Sequence, residues 1–279
     1  MEILTSRANP RIRHVSRLRT GRYRRQTNAF VVDGVREIRR AIDAGMVLLE
    51  LFIAEATWSQ FVGGQDAGGI PDWLQPALSR QAITQVAGGA FEKLAYGDRK
   101  EGMVGVFETP ARPLEQLVLP ANALVMVADR IEKPGNLGAI FRSADAVGVD
   151  AVICCDCATD LFHPNVIRAS LGTVFAMSAA VCTAAAAQRW LQDRGVRCFA
   201  ARVDAARLLW DCPLTGAVAL VVGAEAAGLG EDWKAEGITI PMAGAADSLN
   251  VSVAAAVLAF EARRQRRSES DYRGSLQNR

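Results

Sequence analysis

From residue 123 onward the chain repeats one pattern: a short run of nearly all apolar residues, a polar segment, then a stretch with helical spacing. The runs are 123–128, 151–155, 174–179, 196–201, 217–222 and 238–240, with a helix expected over 184–194. They are continuous rather than alternating in hydrophobicity. A strand wetted on one face alternates, whereas a strand covered on both faces does not, so the pattern predicts a parallel sheet between layers of helices. In such α/β sheets ligands bind beyond the carboxyl ends of the strands, near the point where strand order reverses. Chemistry is therefore expected in the segments at those ends.

Three segments fit that position. The first is Lys133-Pro134-Gly135-Asn136-Leu137-Gly138-Ala139-Ile140-Phe141-Arg142. Pro134-Gly135 makes a turn and Asn136 suits a helix N-cap. Leu137, Ile140, Phe141 and Ala144 mark a buried stripe, and Arg142 lies off it. An arginine over a strand-end crevice has five donors in a rigid fork, suited to phosphate or to an oxygen gaining charge. A surface ion pair is the plainer alternative. The second segment is Gly223-x-Glu225-x-x-Gly228, whose glycines let backbone approach a ligand. Glu225 either anchors amides in its own loop or contacts substrate. The third runs from Ile240-Pro241-Met242 to Ser248-Leu249-Asn250-Val251-Ser252, ahead of an apolar helix. Capping by Ser248 or Asn250 explains one polar residue there, not three.

Other chemistries are poorly served. The dinucleotide fingerprint and the Walker phosphate loop are both missing from the sequence. With two histidines, a hydrolase relay has little to draw on. Cys154, Cys155 and Cys157 lack paired metal-ligand spacing, so no metal is expected. The six cysteines read as free thiols of a reducing cytoplasm. The start of the chain lacks an apolar signal core, and no run approaches the roughly 20 residues needed to span a bilayer.

Net charge is only +2, but its distribution is uneven. Eight arginines and no acidic residue lie between Arg7 and Arg25. Ile12, Val15 and Leu18 form one helical stripe, which leaves the arginines toward solvent and points to phosphate contact. Arg263, Arg264, Arg266 and Arg267 form a second basic cluster at the end of the last helix. Ahead of the repeating half, residues 28–107 read as a small α/β unit. Pro110, Pro113 and Pro120 keep the intervening stretch extended.

Taken jointly, the three segments resemble the three motifs of the SpoU/TrmH family, in order and spacing, across about residues 124–261. These are RNA ribose 2′-O-methyltransferases of the SPOUT superfamily. The first half resembles the L30e-like RNA-binding domain of many members. Val166-Ile167-Arg168-Ala169-Ser170 is similar to the region where ribosomal RNA members place a second arginine. The resemblance implies an α/β chain with an L30e-like domain over 1–108, a linker over 109–120, a SPOUT domain over 121–267 and a tail over 268–279. It implies a C-terminal trefoil knot, although general topology rules disfavour knots. S-adenosylmethionine would be held in a bent pose by Gly223, Ile240 and Leu249, with Met242 and Gly228 in the same segments. A homodimer would complete each site.

Arg142 would contact the 2′-oxygen and stabilise it as charge develops, since arginine is a poor free base. Asn136 would orient Arg142, and Glu225 and Asn250 would hold loop and substrate. Arg11, Arg13, Arg22, Arg24 and Arg168 would bind RNA. The expected substrate is 23S ribosomal RNA. Transfer RNA is the alternative substrate, and a silent ribosome-assembly factor the alternative from another class. This chain has Gly230 where the family often has serine, and Ala226-Ala227 after its acidic residue, which bears on substrate choice rather than on backbone-held cofactor.

Overall fold

Two sheets carry the residues that the computed structural model describes, namely 3–62, 69–80, 82–96, 101–223, 229 and 233–266. The chain divides into two units, Met1–Ala111 with Asp160–Ala176, and Arg112–Thr159 with Met177–Arg279. The first unit begins with β1 (Ile3–Leu4), α1 (Pro10–Arg17), α2 (Gly21–Thr27), β2 (Ala29–Asp33), α3 (Val35–Asp43) and β3 (Leu48–Ala54). It continues through α4 (Glu55–Val62), α5 (Gln75–Ser79), β4 (Ile83–Val86), α6 (Gly88–Phe91) and β5 (Met103–Glu108). Its sheet has the order β1-β4-β3-β5-β2. Strands β1 and β3 run parallel to β4, and β5 is antiparallel to β2 and β3.

The basic N-terminal segment forms two helices. Asn9 caps α1 by accepting from the Arg11 amide at 2.9 Å, and Pro10 opens the helix with its preset φ. Ile12, Val15 and Leu18 are buried as their spacing predicts. The expectation that all the arginines face solvent fails at three positions, one of them Arg19, half-buried with Nη2 donating to the carbonyls of Lys93, Leu94 and Ala95. Arg24 is buried, because Asp160 and two backbone carbonyls take up its donors. Arg11 is half-buried, paired with Glu50 and Thr84, with its guanidinium 5.8 Å from the centre of the Phe52 ring.

The second unit starts with β6 (Leu124–Asp129), α7 (Pro134–Val147) and β7 (Ala151–Cys155). The chain then supplies α8 (Pro164–Ala169) and α9 (Thr173–Ala176) to the first unit. There Phe30 of β2 stacks on Phe162 and Phe175 at 4.5 and 5.9 Å between ring centroids. Residues 174–179, expected as a strand, contain α9 instead, and the strand begins only at Ala179. Short apolar runs fit either state, and here the turn chemistry decides. Leu171 and Gly172 take left-handed φ of 55° and 83°, and Thr173 Oγ1 donates to Ser170 O at 3.0 Å. At Gly172 a Cβ would press on Arg40 of α3 at 3.3 Å.

The second unit resumes with β8 (Ala179–Cys182), α10 (Ala184–Asp193), β9 (Arg197–Ala201), β10 (Val218–Val222), β11 (Glu236–Ile238) and α11 (Val251–Arg266). All six strands are parallel, in the order β11-β9-β10-β6-β7-β8. Val125, Val127, Ile153, Ala219 and Val221 pack with Trp190 and Leu191 of α10 on one face. Helix α11 packs against α7, β6 and β10. Its last residues tie it to the segments that precede β6 and β10. Arg266 donates to the carbonyls of Asn122, Leu214 and Gly216 at 2.6, 2.9 and 2.6 Å, and Gln265 binds the Leu214 amide at 2.8 Å. Not all of this helix is buried: Val253 is 48 % and Phe260 55 % exposed. No helix among the described residues is long and apolar enough to cross a membrane.

Candidate active site

Strand order in the second sheet reverses around β10 and β6, and the principal cleft of the unit opens beyond the neighbouring strand ends. It measures about 520 Å³ and is lined by residues that follow β9, β10 and β11 and by the start of α11. Gly223, Ile240, Met242 and Leu249 all line it. Val222, Leu229, Ile238 and Val251 add apolar wall, and Asp204 and Asp247 add carboxylates. Two segments over a hundred residues from one another in sequence meet nearby, where Asn250 Nδ2 donates to Asn136 Oδ1 at 3.3 Å.

Asn250 is the N-cap of α11. Its Oδ1 accepts from the Ser252 amide at 3.1 Å and the Ser252 hydroxyl at 2.7 Å, and its carbonyl accepts from the Ala254 amide. One polar group caps the helix, a second serves the cap, and Ser248 is exposed at the cleft. Asn136 is not the cap of α7. Lys133 holds that place and Pro134 opens the helix, because proline needs no partner for the missing N–H at the first position. Asn136 therefore stands in the first turn, half-buried, where its amide reaches Asn250.

Arg142 lies six residues further along α7, roughly 9 Å up the helix axis. Leu137, Ile140, Phe141, Ala144 and Val147 are buried on that helix, while Arg142 is exposed. Its guanidinium has no hydrogen bond or ion pair among the described residues, so the surface ion-pair alternative is not what they show. Glu225 and Gly228 lie outside the described residues. At the end of β6, Asp129 is buried. Burial holds its carboxyl above the usual range, against the opposing pull of Arg130.

The other predicted residues belong to the first unit. Arg13 and Arg22 are exposed and unpaired among the described residues. Arg168 is exposed in the last turn of α8 and lines a small crevice with Arg19 and Tyr96. Arg24 is buried and Arg11 is paired, as described above. Sequence reasoning missed Asp204 and Arg202, which follow β9. The strand-end rule that picked out the other segments applies to β9 equally and would have found them. Among the described residues, no three His, Cys, Asp or Glu side chains converge as a metal site requires.

A six-stranded parallel sheet, a cleft at its strand ends and an arginine-bearing helix hydrogen-bonded to the start of α11 agree with an α/β methyltransferase of the SpoU class. Residues 123–260 match the model of the SpoU rRNA Methylase family, and residues 9–105 match that of the MRM3-like substrate binding domain. The chain belongs to the SpoU rRNA methylase family. It is 30 % identical over 255 residues to the 23S rRNA (uridine(2479)-2′-O)-methyltransferase of Streptomyces viridochromogenes, covering 87 % of this chain and 85 % of that one. Among solved structures, an RNA 2′-O ribose methyltransferase is 36 % identical, with a TM-score of 0.77 and coverage of 94 % and 98 %. An AdoMet-bound rRNA methyltransferase from Sinorhizobium meliloti is 28 % identical, with a TM-score of 0.80 and coverage of 96 % and 99 %.

Proposed function

We propose that this protein methylates a ribose 2′-hydroxyl of ribosomal RNA, with S-adenosylmethionine as methyl donor and 23S RNA as substrate. The observation that carries the reading is the Asn136–Asn250 hydrogen bond, which ties the arginine helix to the helix that walls the strand-end cleft. The relatives named for ribose methylation of 23S RNA support it.

The cleft suits the donor. Its volume lies within the usual range for small-ligand pockets of about 300–1,000 Å³. Its apolar wall fits an adenine ring, Gly223 allows close backbone approach, and Asp204 and Asp247 complement a cationic ligand. Bound there, S-adenosylmethionine would supply an electrophilic methyl group to the ribose oxygen, whose proton leaves to solvent. Arg142, exposed and unpaired among the described residues, holds the 2′-oxygen and the adjacent phosphate, and its donors stabilise the oxygen as the proton departs. Asn136 and Asn250 keep the first turn of α7 and the start of α11 in register, so that hydroxyl and methyl meet in line. Glu225 and Gly228, which lie outside the described residues, are assigned from their sequence motif alone to holding the loop and substrate and to binding the methyl donor.

Arg13, Arg22 and Arg168 provide the RNA surface, and the protein acts in the cytoplasm, which its free thiols favour. It works as a homodimer through α11, where Val253 and Phe260 are exposed and Phe260 lines a groove with Trp210. The bonds from Arg266 to the carbonyls of Asn122 and Ala123, and from Gln265 to the segment before β10, support a knotted C-terminus.

The test is incubation with methyl-labelled S-adenosylmethionine and unmodified ribosomal or transfer RNA, beside Arg142→Ala. The expected result is label in the ribose of ribosomal RNA, reduced about 10²- to 10³-fold in the variant. Label only in transfer RNA overturns the substrate. Cofactor binding with no transfer to either RNA leaves a silent RNA-binding protein.

A further inference from the structure

The chemistry of Arg24 in isolation suits phosphate, yet its side chain is only 4 % exposed and its donors are engaged within the first unit. Nε and Nη2 face the Asp160 carboxylate at 3.3 and 2.5 Å, a two-point pairing that lysine cannot reproduce. Nη1 donates to Leu18 O and Arg19 O at 2.8 and 2.9 Å, which anchors the pair to the end of α1. Asp160 in turn organises the chain that follows. Its Oδ1 accepts from the Phe162 amide at 3.0 Å, and its carbonyl accepts from the His163 amide at 3.2 Å. His163 Nδ1 then caps α8 by accepting from the Asn165 amide at 3.1 Å.

The last turn of that helix carries Arg168, exposed and unpaired among the described residues. Beyond it, Arg40 Nη1 donates to Leu171 O at 2.7 Å. The helix is thus tied at both ends by arginines, and Arg24, buried with its donors engaged, cannot itself reach a phosphate without leaving these partners.

We propose that Arg24 is a positioning residue for RNA binding: through Asp160 it fixes α8, so that Arg168 presents its guanidinium to an RNA phosphate. This inference rests on the RNA-binding reading above. The Arg24 charge is spent inside the unit, and its effect on RNA arrives through Arg168 alone. A residue that contacts phosphate releases counterions, so its loss lowers the slope of log affinity against log salt by about one. A residue with a purely structural role reduces thermal stability and leaves that slope unchanged.

The experiment measures binding of a 23S ribosomal RNA transcript across a salt series, for the full chain, Arg24→Met, Arg168→Ala and the double variant. Arg168→Ala is expected to lower the slope by about one and to weaken binding roughly tenfold at fixed salt. Arg24→Met is expected to do the same, and the double variant to match either single one. Asp160→Asn serves if Arg24→Met does not fold. It keeps Arg24 charged and bound to both carbonyls, and the same loss of slope is expected. A wild-type slope in folded Arg24→Met or Asp160→Asn, or additive losses in the double variant, overturns the inference while the loss in Arg168→Ala keeps the RNA reading. Wild-type protein with no salt-dependent RNA binding overturns both.

Discussion

Asn250 serves two purposes through different atoms, which allows them to be separated. Its Oδ1 caps α11 and its Nδ2 reaches Asn136. Asn250→Ala removes both. Loss of an N-cap costs about 1 kcal/mol, and in a unit of this size that lowers Tm by roughly 2–4 °C. Loss of a single neutral hydrogen bond is worth about 0.5–1.5 kcal/mol, or roughly 2- to 10-fold in rate if it is made in the transition state. Asn250→Asp keeps an oxygen for the Ser252 amide and hydroxyl, and puts negative charge at a helix N-terminus, worth about 0.3–1 kcal/mol in favour of folding. It also removes the donor to Asn136 and sets oxygen against oxygen. The expected pattern is Asn250→Ala with lower Tm and lower kcat/KM, and Asn250→Asp with Tm at or above wild type but kcat/KM reduced as far or further. Thermal denaturation and methyl transfer to RNA measure the two effects on the same preparations. Wild-type activity in Asn250→Asp would refute the placing of the Asn136–Asn250 bond in the catalytic machinery. An unchanged Tm in Asn250→Ala would refute the cap.

Phe260→Asp puts a charge into the exposed apolar face of α11, and sedimentation should show a dimer becoming a monomer; a variant that stays dimeric would move the interface elsewhere. His163 gives a pH dependence. Burial, and then the nearby Arg24 charge, hold its pKa below the usual 6.5, and its Nδ1 must be unprotonated to cap α8. The unfolded chain therefore binds a proton more readily than the folded one. Stability is full above about pH 6.5 and falls as pH drops from there toward the depressed folded value. His163→Asn retains a cap and does not titrate, so denaturant midpoints between pH 7.5 and 5.5 should vary less in the variant than in wild type.

Most of the second sheet was legible because strands buried on both faces leave short continuous apolar runs bounded by turn residues. Runs 123–128, 151–155 and 217–222 became β6, β7 and β10 with ends shifted by no more than a residue. Residues 174–179 misled because Val174-Phe175-Ala176 suits a helical turn as well as a strand, and the left-handed pair Leu171-Gly172 that chooses between them is a local backbone fact. The membership of Asp160–Ala176 in the first unit was illegible for a different reason. It depends on long-range partners, Phe30 for Phe162 and Arg24 for Asp160, that adjacency in sequence does not reveal. At the site, residue types and spacing located Asn136, Arg142 and Asn250, but not which of them caps a helix. That is settled by Pro134, which moves the start of α7 two residues ahead of Asn136.

Arg142 and Arg24 differ in burial as the roles proposed for them require. Helix α7 takes its stability from the opposite face, where Leu137, Ile140, Phe141 and Val147 are buried at about 1.5–3 kcal/mol each. Nothing in the described fold needs the Arg142 guanidinium, and a substrate oxygen can engage it without breaking a prior bond. Arg24 has the same five donors, but a carboxylate and two carbonyls already accept from them, and withdrawing it would strand those partners. An arginine that binds RNA must keep its donors unsatisfied until RNA arrives. By that criterion Arg13, Arg22, Arg142 and Arg168 qualify for the phosphate contacts proposed above, whereas Arg11 and Arg24, whose donors are engaged, do not.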